Sequence, residues 1–93
     1  MKYELLYIIA QDTTDEQKEA LINKFSKMIE DKGGKVLSLE KIGTKKFAYP
    51  INFKNEGYYV LMTFEVADAK VVDDMNKLMN ITENIVRQMF VRK

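Results

Sequence analysis

The side chains here that could do chemistry are carboxylates, lysines, arginines, tyrosines and small hydroxyls; the chain has no cysteine and no histidine. Thiolate and imidazole catalysis, disulfides and the usual zinc ligand sets are therefore excluded by composition. Asp73 and Asp74 are adjacent in a helical pattern, and adjacent helical positions do not converge on a ligand, so they read as a solvated face. Gly33-Gly34-Lys35 follows a helix and does not open one, which is the wrong context for a phosphate loop. No catalytic residue, metal site or cofactor is expected, and the chain reads as a non-enzyme.

The remaining chemistry is cationic. The net charge is only +1, but it is unevenly spread. Lys41, Lys45, Lys46 and Lys54 occupy a stretch without an acid, and Arg87, Arg92 and Lys93 close the chain in another. The acids gather between Asp12 and Asp31 and between Glu65 and Glu83. Such asymmetry can give one face a positive field on a near-neutral molecule. Within the first stretch, Gly43-Thr44-Lys45-Lys46-Phe47-Ala48-Tyr49-Pro50-Ile51 joins a glycine bend to two lysines and two aromatic residues. Its plainer account is a charged edge strand that discourages sheet-to-sheet aggregation. Its alternative is a phosphate-binding strand, since lysine and arginine supply most contacts to a nucleic-acid backbone.

The elements that must carry these residues can be traced in order. Lys2 to Ala10 is rich in β-formers and apolar on both parities in its second half, which predicts a central strand. That strand also argues against a secretory signal. Thr13 and Glu16 have capping-box spacing and open a helix. Leu21, Ile22, Phe25, Met28 and Ile29 form its apolar stripe, and Gly33 ends it. Lys35 to Lys41 alternates as a strand, Gly43 predicts a bulge or bend, and Lys45 to Ile51 is extended again, with Pro50 marking an edge or strand end. Lys54 to Gly57 reads as a turn and Tyr58 to Val66 as the next strand. Asp68 caps a second helix with the stripe Val71, Val72, Met75, Leu78 and Met79. Ile85 to Val91 is the last strand. With 93 residues there is room for one core, so residues 1–93 are expected to be a single domain. The order β-α-β-β-α-β predicts an α+β, ferredoxin-like split sandwich: four antiparallel strands with both helices on one face and the other face open. No apolar run approaches the ~20 residues of a membrane span.

Two functional relatives of that fold fit poorly. An RNA-recognition motif carries a basic–glycine–aromatic string on its third strand. Glu56-Gly57-Tyr58-Tyr59-Val60 replaces the basic residue by an acid and loses the aromatic spacing. Acylphosphatase-like enzymes cradle an anion in the loop after the first strand, but Gln11-Asp12-Thr13-Thr14 is acidic and lacks arginine.

The string from Gly43 to Ile51 resembles the signature of the S-six family of bacterial small-subunit ribosomal proteins. That signature runs glycine, any residue, two basic or polar residues, leucine, alanine or serine, tyrosine, a variable residue often proline, then isoleucine. Phe47 stands where leucine is usual. Met1-Lys2-Tyr3-Glu4 resembles the family's opening, Gly57-Tyr58-Tyr59 its third-strand entry, and Asn84-Ile85-Val86-Arg87-Gln88-Met89 its last strand. The resemblance implies a structural protein, cytoplasmic and ribosome-associated. It would bind the central domain of small-subunit ribosomal RNA as a heterodimer with the eighteenth small-subunit protein. By position, the implied RNA-facing residues are Lys2, Tyr3, Lys45, Lys46 and Arg87, with Arg92 and Lys93 added on charge. Many relatives have arginine where Asn80 stands. Many also carry a tail beyond the last strand, so partner contact is expected to rest on the domain itself.

Two expectations follow for the structure. The cations of the second and fourth strands, although on opposite sheet edges, should share one surface with Lys2. The open sheet face should leave apolar side chains uncovered, with Tyr59 and Leu61 contacting a protein partner, and Phe47 and Tyr49 at a sheet edge as the next candidates. The competing reading is a ferredoxin-like small-molecule sensor or protein-assembly module.

Overall fold

A computed structural model describes residues 1–51 and 54–93, and their side chains for 1–45 and 56–93. The element order is β1 (Lys2–Ala10), α1 (Asp15–Asp31), β2 (Lys35–Ile51), β3 (Lys54–Glu65), α2 (Lys70–Asn80) and β4 (Ile85–Arg92). The strands form one antiparallel sheet in the order β2-β3-β1-β4. This is the β-α-β-β-α-β split sandwich. Among the described residues no helix is long and apolar enough to cross a membrane.

The core lies between the sheet and the two helices. Alternation along β1 sends Tyr3, Leu5, Tyr7 and Ile9 to the helix side, opposite Phe64, Met62, Val60 and Tyr58 of β3. The helices answer with Ile22, Phe25 and Ile29 from α1 and Val71, Met75 and Met79 from α2. Tyr7 meets Phe25 edge-on at 5.6 Å, and Phe64 stacks on Tyr3 at 5.8 Å. Each such large apolar side chain contributes about 1.5–3 kcal/mol on burial.

Three joints differ from expectation. The N-cap of α1 is Thr14, one residue later than predicted: its Oγ1 accepts from Gln17 N at 3.2 Å, and Gln17 Oε1 accepts from Thr14 N at 3.4 Å. Thr13 is buried instead, and its Oγ1 has no hydrogen-bond partner among the described residues. Glutamine serves the box as well as glutamate, so both spacings were open. Lys54 to Gly57 is not a turn but the first part of β3, with Ile51 paired to Lys54. Cross-strand pairing overrides the local turn propensity there. Finally, α2 begins at Lys70 and not directly after Asp68, but Asp68 Oδ1 still accepts from Lys70 N at 2.9 Å.

Edge strands β2 and β4 are both interrupted by bulges. Register shifts fall between Val36 and Ser38 and between Lys41 and Gly43 in β2, and between the partners of Ile8 and Ile9 in β4. Gly43 has φ +106, and Gly33, just beyond α1, has φ +82, both in the left-handed region that glycine enters without a Cβ penalty.

Candidate functional site

The face of the sheet away from the helices carries the candidate site. Its rows follow from the register. Arg87 pairs with Ile8, Ile8 with Tyr59, and Tyr59 with Gly43. The next row toward the other end is Met89, Leu6, Leu61 and Glu40, and after it Val91, Glu4, Thr63 and Ser38. On the opposite side of the Arg87 row, Ala10 pairs with Gly57 and Gly57 with Lys45.

The bulges decide which cations reach this face. Lys41 pairs with Val60, a core residue, and its ammonium meets Glu19 of α1, so Lys41 points to the helix side. That hydrogen bond to Glu19 holds the Lys41 pKa above its ordinary value. Lys45 is four positions on and would share that side in a regular strand. The extra residue Ile42 shifts the alternation, and Lys45 arrives on the open face opposite Gly57. In β4, Ile85 pairs with Ile9 on the core side, and the extra residue Val86 turns Arg87 to the open face beside Ile8. Both side chains are exposed and make no ion pair with a described residue. Lys45 and Arg87 lie two residues apart along the strands and three strand spacings across, roughly 16 Å.

Tyr59 and Ile8 lie between the cations, and the row beyond them, Leu61, Leu6 and Met89, continues the apolar surface on the side away from Lys45. Leu6, Tyr59 and Leu61 are half-buried, and Met89 is 54% exposed. Ile8 is only 6% exposed although no helix covers it, because Arg87 and Tyr59 flank it in register. A shallow cavity of about 260 Å³ opens between β1 and β4, lined by Leu6, Ile8, Arg87, Gln88 and Met89.

The other predicted residues fall elsewhere. Lys2 is on the open face but in the row of Glu65 and Lys35, roughly 20 Å along the strands from Arg87. Lys93 lies at that same end, where its ammonium meets Glu4 at 3.0 Å. The cations therefore occupy two ends of the open face, not one continuous patch. Arg92 pairs with Tyr3 and takes the helix-side parity, exposed at the edge. Tyr3 departs from the expectation of an RNA contact. It is 8% exposed, its ring packs on Phe64, and its hydroxyl reaches Met1 Sδ at 3.9 Å. Odd positions of β1 face the helices, and that parity puts Tyr3 in the core. Of the tyrosine pair, Tyr58 lies on the helix side under Lys18, whose Nζ is 4.8 Å from the ring centroid, while Tyr59 is on the open face. The side chains of Lys46, Phe47 and Tyr49 lie outside the described residues.

Sequence reasoning missed a cluster of amides at the corner of α2 and β4. Gln88 Nε2 donates to Asn76 Oδ1 at 2.9 Å and to Asn80 Oδ1 at 2.6 Å. The spacing of Asn76 and Asn80, one turn apart on α2, is the signal that could have found it.

Comparison with known proteins accounts for this architecture. The family model described as ribosomal protein S6 matches residues 2–92. The small ribosomal subunit protein bS6 of Exiguobacterium sp. (strain ATCC BAA-1283 / AT1b) is 44% identical over 88 residues, 95% of this chain and 92% of that protein. The bS6 of Thermoanaerobacter pseudethanolicus is 37% identical over 90 residues, 97% of this chain and 94% of that protein. The crystal structure of 30S ribosomal protein S6 from Thermotoga maritima superposes with a TM-score of 0.92 at 32% identity, covering 99% of this chain and 86% of that one. Its relatives are structural proteins of the ribosome and not enzymes, and this chain belongs to the ribosomal protein S6 family.

Proposed function

We propose that this protein is built into the small ribosomal subunit by binding the central domain of its ribosomal RNA, paired with the eighteenth small-subunit protein. The observation that carries the reading is the shared face of Lys45 and Arg87, with an apolar strip that neither helix covers beside and between them. Exposed cations that pair with no acid among the described residues suit phosphates, whose neutralisation releases counterions. The strip of Leu6, Tyr59, Leu61 and Met89 suits a protein surface that shares the RNA contact. Lys46 is assigned to the RNA with Lys45 on its family position. Lys2, Arg92 and Lys93 contribute at the far end, Lys93 only after exchanging Glu4 for a phosphate. The working location is then the ribosome in the cytoplasm. Reconstitution of small subunits tests this. The chain should co-sediment with them, and its binding to the isolated central-domain RNA should be weak alone and strong once the eighteenth protein is added. Equal binding with and without that protein would overturn the paired reading. Absence from the subunits would overturn the whole.

A further inference from the structure

The helix layer lies on the far side of the sheet from the open face, and it carries a cavity of its own. About 550 Å³ opens between the two helices, lined by Lys24, Lys27, Met28, Asp31, Lys32 and Leu78. The helices run antiparallel here. Lys32, just past the end of α1, meets Asp74 of α2 at 3.5 Å, while Lys24 and Met28 lie beside Leu78.

The floor of this groove is apolar. Leu21, Met28 and Leu78 are half-buried and pack on the core beneath. Ile81 continues the Asp74–Leu78 stripe of α2 by one turn, and 80% of it is exposed. The rim is cationic. Lys24, Lys27 and Lys77 are exposed and pair with no acid among the described residues. At one end Lys32 and Asp74 neutralise each other, with Asp31 beside them.

We infer that this groove docks an acidic amphipathic helix of another protein, its apolar side chains on Met28, Leu78 and Ile81 and its carboxylates on Lys24, Lys27 and Lys77. Two antiparallel helices leave a furrow into which the ridge of a third can pack, and apolar anchors at i, i+3 and i+4 read such a furrow. The stripe from Asp74 to Ile81 is roughly 10 Å long, two turns of such a helix. Charge selects the occupant. Three unpaired ammonium groups flank the apolar floor, so a segment with acids on both sides of its apolar face is complementary to it. A nucleic-acid backbone is not, because its continuous phosphates would cross the apolar floor and run onto Asp31 and Asp74. The groove goes beyond the RNA reading and is independent of it, since a ligand here leaves the open face of the sheet free.

The test is a titration of the isotope-labelled full chain, followed by backbone amide shifts. The probe is a synthetic helical peptide with leucine at i, i+3, i+4 and i+7 and glutamate on both flanks. Amides of Lys24, Met28, Leu78 and Ile81 should move in a saturable way, and those of Ile8 and Arg87 should not. Lys24→Gln/Lys27→Gln and Ile81→Ser should each weaken the peptide several-fold. All three positions are exposed, so both variants should fold, and thermal melts check this. A peptide with glutamine in place of glutamate should bind several-fold more weakly, and one with serine in place of leucine should not bind. Absence of saturable shifts in the groove, or equal binding of the glutamine peptide, would overturn the inference. A short oligouridylate that moves the same amides more strongly than the peptide would also overturn it, by making the groove a nucleic-acid contact.

Discussion

Lys45 and Arg87 stand on one face of the sheet although their strands are its two outer edges. Each arrives there through one extra residue, Ile42 before Lys45 and Val86 before Arg87, which reverses the alternation just ahead of the cation. Regular strands would have put Lys45 beside Lys41 on the helix side and Arg87 beside Ile85 in the core. The two bulges thus convert an ordinary pair of edge strands into a surface with cations on both flanks.

That placement predicts a salt signature. Lys45→Ala and Arg87→Ala should each weaken binding to ribosomal RNA and lower the slope of log affinity against log salt by roughly one. Stability should change by less than about 0.5 kcal/mol, since neither side chain has an ion pair with a described residue to lose. Urea unfolding and filter binding over a salt series give the two readouts. A large stability loss with unchanged slope would assign the pair to the fold alone.

Gly34 is required by space and not by conformation. A Cβ there would sit 2.7 Å from Ile29 Cγ2, 2.8 Å from Val66 Cγ1 and 2.9 Å from the Glu65 carbonyl oxygen. Two of these neighbours are core side chains and the third is backbone, so none gives way easily. Gly34→Ala should cost about 1–3 kcal/mol. Gly43→Ala meets no atom within 4 Å but has φ +106, so its cost of about 1–2 kcal/mol comes from the left-handed backbone. Gly43→Asn should recover part of the second loss and Gly34→Asn none of the first.

The two threonines before α1 should separate cleanly. Thr14→Ala removes a cap that satisfies Gln17 N and should cost about 1 kcal/mol. Thr13→Val keeps the buried shape and removes a hydroxyl without a partner, so it should be neutral or stabilising. Denaturant midpoints of the two variants check the cap position directly; the reverse order would move the cap to Thr13.

Tyr7 is fully buried, and its hydroxyl also lacks a partner among the described residues. Burial first, and then the nearby Tyr58 and Glu19, push the phenol well above its ordinary pKa of 10.0. The folded state therefore keeps the proton when the unfolded chain releases it. Stability from this group is complete below pH 10.0 and falls as the pH rises above it. Tyr7→Phe should gain on the order of 1 kcal/mol at neutral pH by removing an unpaired buried polar group. It should also flatten the alkaline arm of the stability profile. Urea titrations between neutral and alkaline pH measure both effects, and an unchanged alkaline arm would refute the assignment.

The helices, the order of elements along the chain and the two-layer fold were legible because the helices and strands are strongly periodic. The stripes of α1 and α2 appear in the core as read. Single-residue events were harder to read. A capping box admits glutamate or glutamine, so Thr13 and Thr14 could not be separated by spacing alone. A bulge adds one residue to a strand and leaves only a weak trace, a glycine at position 43 and none at position 86. Gly43 pointed to the bend in β2, while Val86 gave no sign that Arg87 would turn outward. Tyr3 was drawn toward the RNA by its place in a family opening, whereas the parity of β1 puts it in the core. The amide cluster joins residues 76, 80 and 88 across a loop, a relationship that only the packing of α2 on β4 creates.

The last prediction concerns the apolar strip. Leu6, Tyr59 and Leu61 occupy the centre of a sheet face that neither helix covers, and Met89 extends it toward the β4 edge. Tyr59 and Leu61 alternate with Tyr58 and Val60, so replacing them leaves the core side of β3 intact. Tyr59→Ser/Leu61→Ser should therefore keep the fold, at a cost of about 1–2 kcal/mol from lost packing over Ile8 and Leu6. Heterodimer formation with the eighteenth small-subunit protein should fall by at least tenfold, since an apolar centre flanked by polar residues is where interface energy concentrates. RNA binding should be lost only to the extent that it depends on that partner, while Lys45→Ala should weaken RNA binding and leave pairing intact. Calorimetry of the protein pair and a separate RNA titration distinguish the two. Unchanged pairing in the double serine variant would move the protein interface off this face and toward the β2 edge that carries Phe47 and Tyr49.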